Sequence, residues 1–116
     1  MEEYKSKITG NLDIFIIQNE DEFDGQIRNW QEILIHGDPE GLRSLATLLL
    51  KMADTDQNDI IGLPIGARDH IHLRPKYDLS SSSEKVILGR LDAKGTGAFY
   101  DRYVPPKDNL KLDTIK

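Results

Sequence analysis

Two histidines one residue apart, His70 and His72, are the side chains best placed by type and spacing to do chemistry. In an extended segment, residues i and i+2 point to the same side. Asp69-His-Ile-His-Leu-Arg74 therefore sets two imidazoles side by side with Arg74, and turns Ile71 and Leu73 toward a core. Paired imidazoles can hold zinc or another transition metal. His36 ends a second extended run whose same side carries Glu32. If the two runs are neighbours, His36, His70 and His72 converge with that carboxylate, giving a metal-binding module or a metal-dependent enzyme. The plainer reading is two histidines on a polar strand face. It is preferred because nothing in the sequence fixes the pairing, so no metal or other cofactor is expected.

Other candidates for catalysis are weaker. Asp54-Thr-Asp56-Gln-Asn58 begins like a calcium loop, but its sixth position is Asp59 rather than Gly and its twelfth is Ile65 rather than Glu. It reads as a polar helix exit. Ser80–Ser83 lacks the glycine-flanked turn or positioned base that activates a serine, and reads as a flexible loop. Gly95-Thr-Gly97 lacks the Gly-Lys-Ser/Thr ending of a phosphate loop. With no cysteine, thiolate nucleophiles and cysteine–zinc sites are excluded. The expectation is a protein that is not an enzyme. One segment suits binding: Glu20-Asp21-Glu22-Phe23-Asp24 is a negative patch with an apolar anchor, although a solvated acidic turn is the commoner meaning of such a run. The residues assigned to a partner are Glu20, Asp21, Glu22, Phe23, Asp24, His70, His72 and Arg74.

The elements that must position these residues follow from periodicity. Leu12–Gln18 is short and rich in isoleucine, and reads as a strand with apolar residues on both faces. Asn19–Gly25 is polar, acidic and ends in glycine, which is loop chemistry. Trp30–His36 is a second strand, with Ile33 and Ile35 on one side and Glu32, Leu34 and His36 on the other. Asp38-Pro39-Glu40 starts a helix: a capping carboxylate, a proline suited to the first turn, and a negative charge at the positive end of the dipole. Leu42, Leu45, Ala46, Leu49, Met52 and Ala53 then mark one face of a helix running to about residue 53. Residues 54–68 form a long connection whose isoleucines either pack down or make a contact surface. Asp69–Arg74 and Glu84–Arg90 are further strands, with a serine-rich loop between them. The fold class is α+β: a small antiparallel sheet of four to five strands with one helix on one face, in the order β-β-α-β-β.

The chain has 116 residues, enough for a single domain spanning 1–116. A flexible arm is expected over about 1–10 and a tail over about 105–116. The net charge is −5, and residues 1–24 hold seven acids against Lys5 and Lys7, so this segment carries the whole excess. No basic cluster suits nucleic acid; an acidic arm suits a basic protein partner. No apolar run approaches the roughly 20 residues that span a bilayer, and the charged start is unlike a signal peptide. Together with the absence of cysteine, this implies a soluble, cytoplasmic protein without a membrane partner. Exposed strand edges leave a homodimer open.

Gly37-Asp38-Pro39-Glu40-Gly41-Leu42-Arg43-Ser44-Leu45-Ala46, His70-Ile71-His72-Leu73 and Ser83-Glu84-Lys85-Val86-Ile87-Leu88 together resemble the immunity protein 32 family of bacterial polymorphic-toxin immunity proteins. The resemblance covers roughly residues 30–91, and residues 54–68 depart from its pattern. It implies an inhibitor that binds a toxin stoichiometrically, and it implies no catalytic residues.

Overall fold

A computed structural model describes residues 5–99. The element order is β1 (Leu12–Phe23), β2 (Gln26–Gly37), α1 (Pro39–Asp54), a 3-10 turn (Gln57–Asp59), β3 (His70–Leu73) and β4 (Val86–Gly89). The α+β class holds, but a single sheet of four to five strands is not seen among the described residues. Instead β1 pairs with β2 and β3 pairs with β4, giving two antiparallel two-stranded sheets.

The first sheet is a long hairpin. Its strands pair without a break from Leu12↔Gly37 to Phe23↔Gln26, so each runs about 40 Å at the usual rise per residue. The acidic stretch from Asn19 to Phe23, expected as a loop, is therefore strand. The cause is the two-residue turn Asp24-Gly25, whose central residues both have positive φ (51° and 77°). That is the signature of a type I′ turn, which matches strand twist and sets the register of everything before it. Cross-strand partners then support the polar stretch: Arg28 reaches across to Asp21, and Asn19 donates to Glu32.

The helix starts where expected. Asp38 accepts from the Gly41 amide (2.7 Å) and the Asn11 amide (3.0 Å), which ties α1 to the start of β1. A Cβ on Gly41 would lie 2.0 Å from the Asn11 carbonyl oxygen, so only glycine fits this contact. That close approach also sets which helix face is inward. Gly41, Leu45, Leu48 and Met52 are buried, whereas Leu42 and Leu49 of the expected stripe are each 44% exposed and Ala46 and Ala53 face outward. Both stripes have helical spacing; the contact with Asn11 decides between them.

Two compact units emerge. Within the described residues, the first comprises 5–55 and 70–88. Its core is Ile8, Leu12, Ile14, Leu45, Leu48, Leu73 and Leu79, with Ile71, Val86 and Leu88 packed against it. Ile8 belongs to this core, and Thr9 bonds to Ser44 and Glu40; residues 1–4 of the expected arm, and the expected tail, lie outside the described residues. The serine-rich segment is not a loose loop. Ser80 N–H donates to the Leu12 carbonyl and Glu84 N–H to the Ile14 carbonyl, while the buried Ser83 hydroxyl bonds both the amide and the carbonyl of Ile14. This segment thus splints the outer edge of β1 and satisfies backbone groups that a third strand would otherwise have met.

The second unit comprises 56–69 and 89–99. Side chains hold it together. The buried Gln57 amide group donates to the Asp92 carbonyl and accepts from the Asp69 amide. The Lys94 ammonium donates to the carbonyls of Ile60 and Leu63, both at 2.6 Å. A lysine cap on two carbonyls gives this stretch the order that regular structure would otherwise supply. Ile61 and Ile65 stay exposed.

Candidate partner-binding surface

The hairpin places the acidic segment at its tip. Because opposed residues share a face, Glu20 and Glu22 lie on one side of the sheet with Asn29 and Ile27. Asp21 and Phe23 lie on the other with Arg28 and Gln26. Asp24 occupies the turn. The five side chains thus divide into two sets. Glu20, Glu22 and Asp24 stand exposed. Asp21 takes two hydrogen bonds from Arg28, at 2.8 and 2.7 Å. This pair raises the Arg28 guanidinium above its ordinary value, chiefly through the hydrogen bond with Asp21 and then through that residue's charge. Arg28 also sits 5.9 Å from the centre of the Phe23 ring, so one cation neutralises Asp21 and braces the exposed aromatic. The tip thus carries an exposed aromatic ring on one face, the exposed carboxylates of Glu20 and Glu22 on the other, and Asp24 at the turn.

His70, His72 and Arg74 are exposed along and just beyond β3, with Ile71 and Leu73 turned inward as expected. β3 pairs with neither β1 nor β2, so these side chains form a patch separate from the hairpin ladder. The convergence of His36 with them does not occur. The His36 ring meets Phe15 edge-on, with centroids 5.2 Å apart, and among the described residues no three His, Cys, Asp or Glu side chains come together as a metal site.

A shallow concavity at the hairpin base is lined by Asn11, Asp13, His36, Asp38 and Ser80. The Ser80 hydroxyl donates to Asp13 rather than to an imidazole, so it is not arranged as an activated nucleophile. Asp38 is held below its ordinary value, first by the amide of Asn11, then by that of Gly41 and by the Asn11 side chain. These bonds are structural: they fasten the helix start to β1. The sequence reading gives Arg28 no role and Ser83 only that of a loop residue, whereas Arg28 pairs with Asp21 and Ser83 bonds Ile14. Arg28 could have been found from the Asp24-Gly25 turn, which places it opposite Asp21.

Among the described residues no helix is long and apolar enough to cross a membrane. No curated protein and no solved structure matches the chain. The family model described as Immunity protein 32 matches residues 32–91, from the middle of β2 through α1, β3 and β4 to just past β4, and leaves the hairpin tip outside. That span is just over half of the sequence, and the chain belongs to the immunity protein 32 family.

Proposed function

We propose that this protein is a non-enzymatic inhibitor that neutralises a bacterial toxin by stoichiometric binding in the cytoplasm, and that the hairpin tip is its principal contact. The observation that carries the reading is the tip itself: exposed Phe23 braced by Arg28 on one face, exposed Glu20 and Glu22 on the other, and Asp24 at the turn between them. A basic toxin surface would be steered by the carboxylates and anchored by the aromatic ring. Asp21 contributes less, because Arg28 already neutralises it. His70, His72 and Arg74 make a second contact within the segment matched by the family.

The test is co-expression with the toxic domain encoded beside the gene, followed by stopped-flow association of the purified pair. Wild-type protein should rescue growth and form a one-to-one complex. Changing Glu20, Glu22 and Asp24 to Ser should slow association about tenfold at low salt and flatten its salt dependence. Phe23→Ala should speed dissociation instead. Rescue that persists with unchanged rates in both variants places the contact elsewhere; no rescue and no complex with the wild-type protein sinks the reading.

A further inference from the structure

We infer that the outer edge of β2 is a self-association surface, on which a second copy of this chain pairs antiparallel about a two-fold axis at Trp30.

Among the described residues β2 pairs with β1 alone, so its other edge carries no strand. Its polarity follows from β1. Leu12 and Ile14 present their backbone groups outward, to the serine-rich segment. Their cross-strand partners are Gly37 and Ile35, so the odd-numbered residues of β2 present theirs on the opposite edge. Ile27, Asn29, Gln31, Ile33 and Ile35 thus offer N–H and C=O groups to a further strand. Nothing in β2 blunts this edge: it has no proline and no lysine, and its ladder has no bulge. Ile27, Ile33 and Ile35 are all more than half exposed.

The strand is complementary to itself in one register. A two-fold axis perpendicular to the sheet preserves its faces, so only same-parity residues can oppose one another. With Trp30 opposite Trp30 of the second copy, Arg28 faces Glu32, Asn29 faces Gln31, and Ile27 faces Ile33. Each of these pairings occurs twice. This register matches the strand's one arginine to its one glutamate, pairs amide with amide, and covers apolar side chains with apolar side chains. A slip of two residues toward the hairpin base sets Trp30 against Glu32 and Arg28 against Leu34, which loses the charge match. Arg28 uses Nε and Nη2 on Asp21, which leaves Nη1 for the second copy. The product is a continuous four-stranded antiparallel sheet. The free carboxylates of Glu20 and Glu22 lie on its outer strands, so this inference stands independently of the toxin reading.

Sedimentation of the full chain over a concentration series should show a species of twice the monomer mass. The chain has no cysteine, so a Trp30→Cys variant reports the register directly. Opposed residues in a non-hydrogen-bonded pair have Cα atoms about 4.5 Å apart, within disulfide reach. Mild oxidation should link this variant to itself, whereas Gln26→Cys, opposite Leu34, should stay unlinked. Arg28→Glu and Glu32→Arg should each weaken the dimer about tenfold, and the double exchange should restore it. A monomer at every concentration up to about 1 mM overturns the inference, including one whose β2 edge becomes protected only when a toxin is added. So does a dimer that links through position 26 rather than 30, or one that the double exchange fails to restore.

Discussion

The two ends of one hairpin differ in everything but their ladder. At the base, Leu12 and Ile14 are buried, the serine-rich segment splints the outer edge of β1, and Asp38 fastens α1 alongside. At the tip, Phe23, Ile27 and Trp30 are exposed, and the side-chain links are the Asp21–Arg28 pair and the contacts of Glu32 with Asn19 and Trp30. A two-stranded ribbon is marginal on its own. The base is stable because tertiary packing covers it, and the tip holds its shape through its turn and cross-strand pairs. The proposed partner surface is thereby carried on an element whose far end contributes little to the core, so changes there are expected to alter binding without unfolding the protein.

The sharpest way to break this contrast is to cut the core. Leu73 is fully buried against Leu12 and its neighbours, so Leu73→Ala should cost about 2–5 kcal/mol in urea unfolding. Ile27→Ala near the tip should fall within about 0.5 kcal/mol of wild type. Comparable losses at both positions would show that the tip is part of the cooperative core. The splint comes next. Ser83→Ala removes the hydroxyl that accepts from the buried Ile14 amide and leaves that donor unpaired, at about 1–3 kcal/mol. Exchange of the Ile14 amide hydrogen should quicken with it. An unchanged midpoint would mean that water can replace the hydroxyl and that the segment only lies against β1.

Legibility in the sequence divides along the same line. Where a local signal has one meaning, sequence and structure agree: Asp38-Pro39-Glu40 starts the helix, and Ile71 and Leu73 of His-Ile-His-Leu face inward. Where composition and geometry compete, composition misled. Asn19 to Gly25 reads as a loop because acids are poor strand formers, yet Asp24-Gly25 at its end is itself a hairpin signal and carries the ladder through the acidic residues. Ser80–Ser83 looked loose because serine favours turns, but hydroxyls that bond locally can also complete a strand edge. The buried helix face shifted because leucines at 42, 45, 48, 49 and 50 satisfy more than one stripe, and the choice rests on how closely Asn11 approaches Gly41. The division into two small sheets depends on which distant segments meet, which no window of sequence contains.

The turn allows a subtler test. Gly25 has a φ of 77° and open space around its Cα, so Gly25→Ala adds backbone strain alone, roughly 1–2 kcal/mol. If the tip is held by its turn, the ladder amides of Asn19, Asp21, Phe23, Gln26, Arg28 and Trp30 should exchange faster while that of Ile14, bonded to Ser83, keeps wild-type protection. The global unfolding midpoint should move less than for Ser83→Ala. A uniform rise along both strands would mean that the hairpin opens as one unit.

The smallest effect is set by pH and belongs to the base. Asp38 is stabilised as a carboxylate by the amides of Asn11 and Gly41, so its folded value lies below its unfolded one. A depressed carboxyl adds stability that is fully present above the ordinary aspartate range, and this is lost as pH falls through the folded value. Lowering the pH from neutral to about 5 should therefore leave the helix start intact, and loosening should begin only below about pH 4. The Gly41 and Asn11 amide resonances would report it, shifting together in an acid titration followed by NMR. In an Asp38→Asn variant the acid-dependent part should vanish, because the amide side chain can still accept a hydrogen bond but has no proton to gain. If those resonances move at neutral pH, or titrate equally in the Asn variant, some other group controls the fastening between α1 and β1, and the base is not anchored through the Asp38 carboxylate.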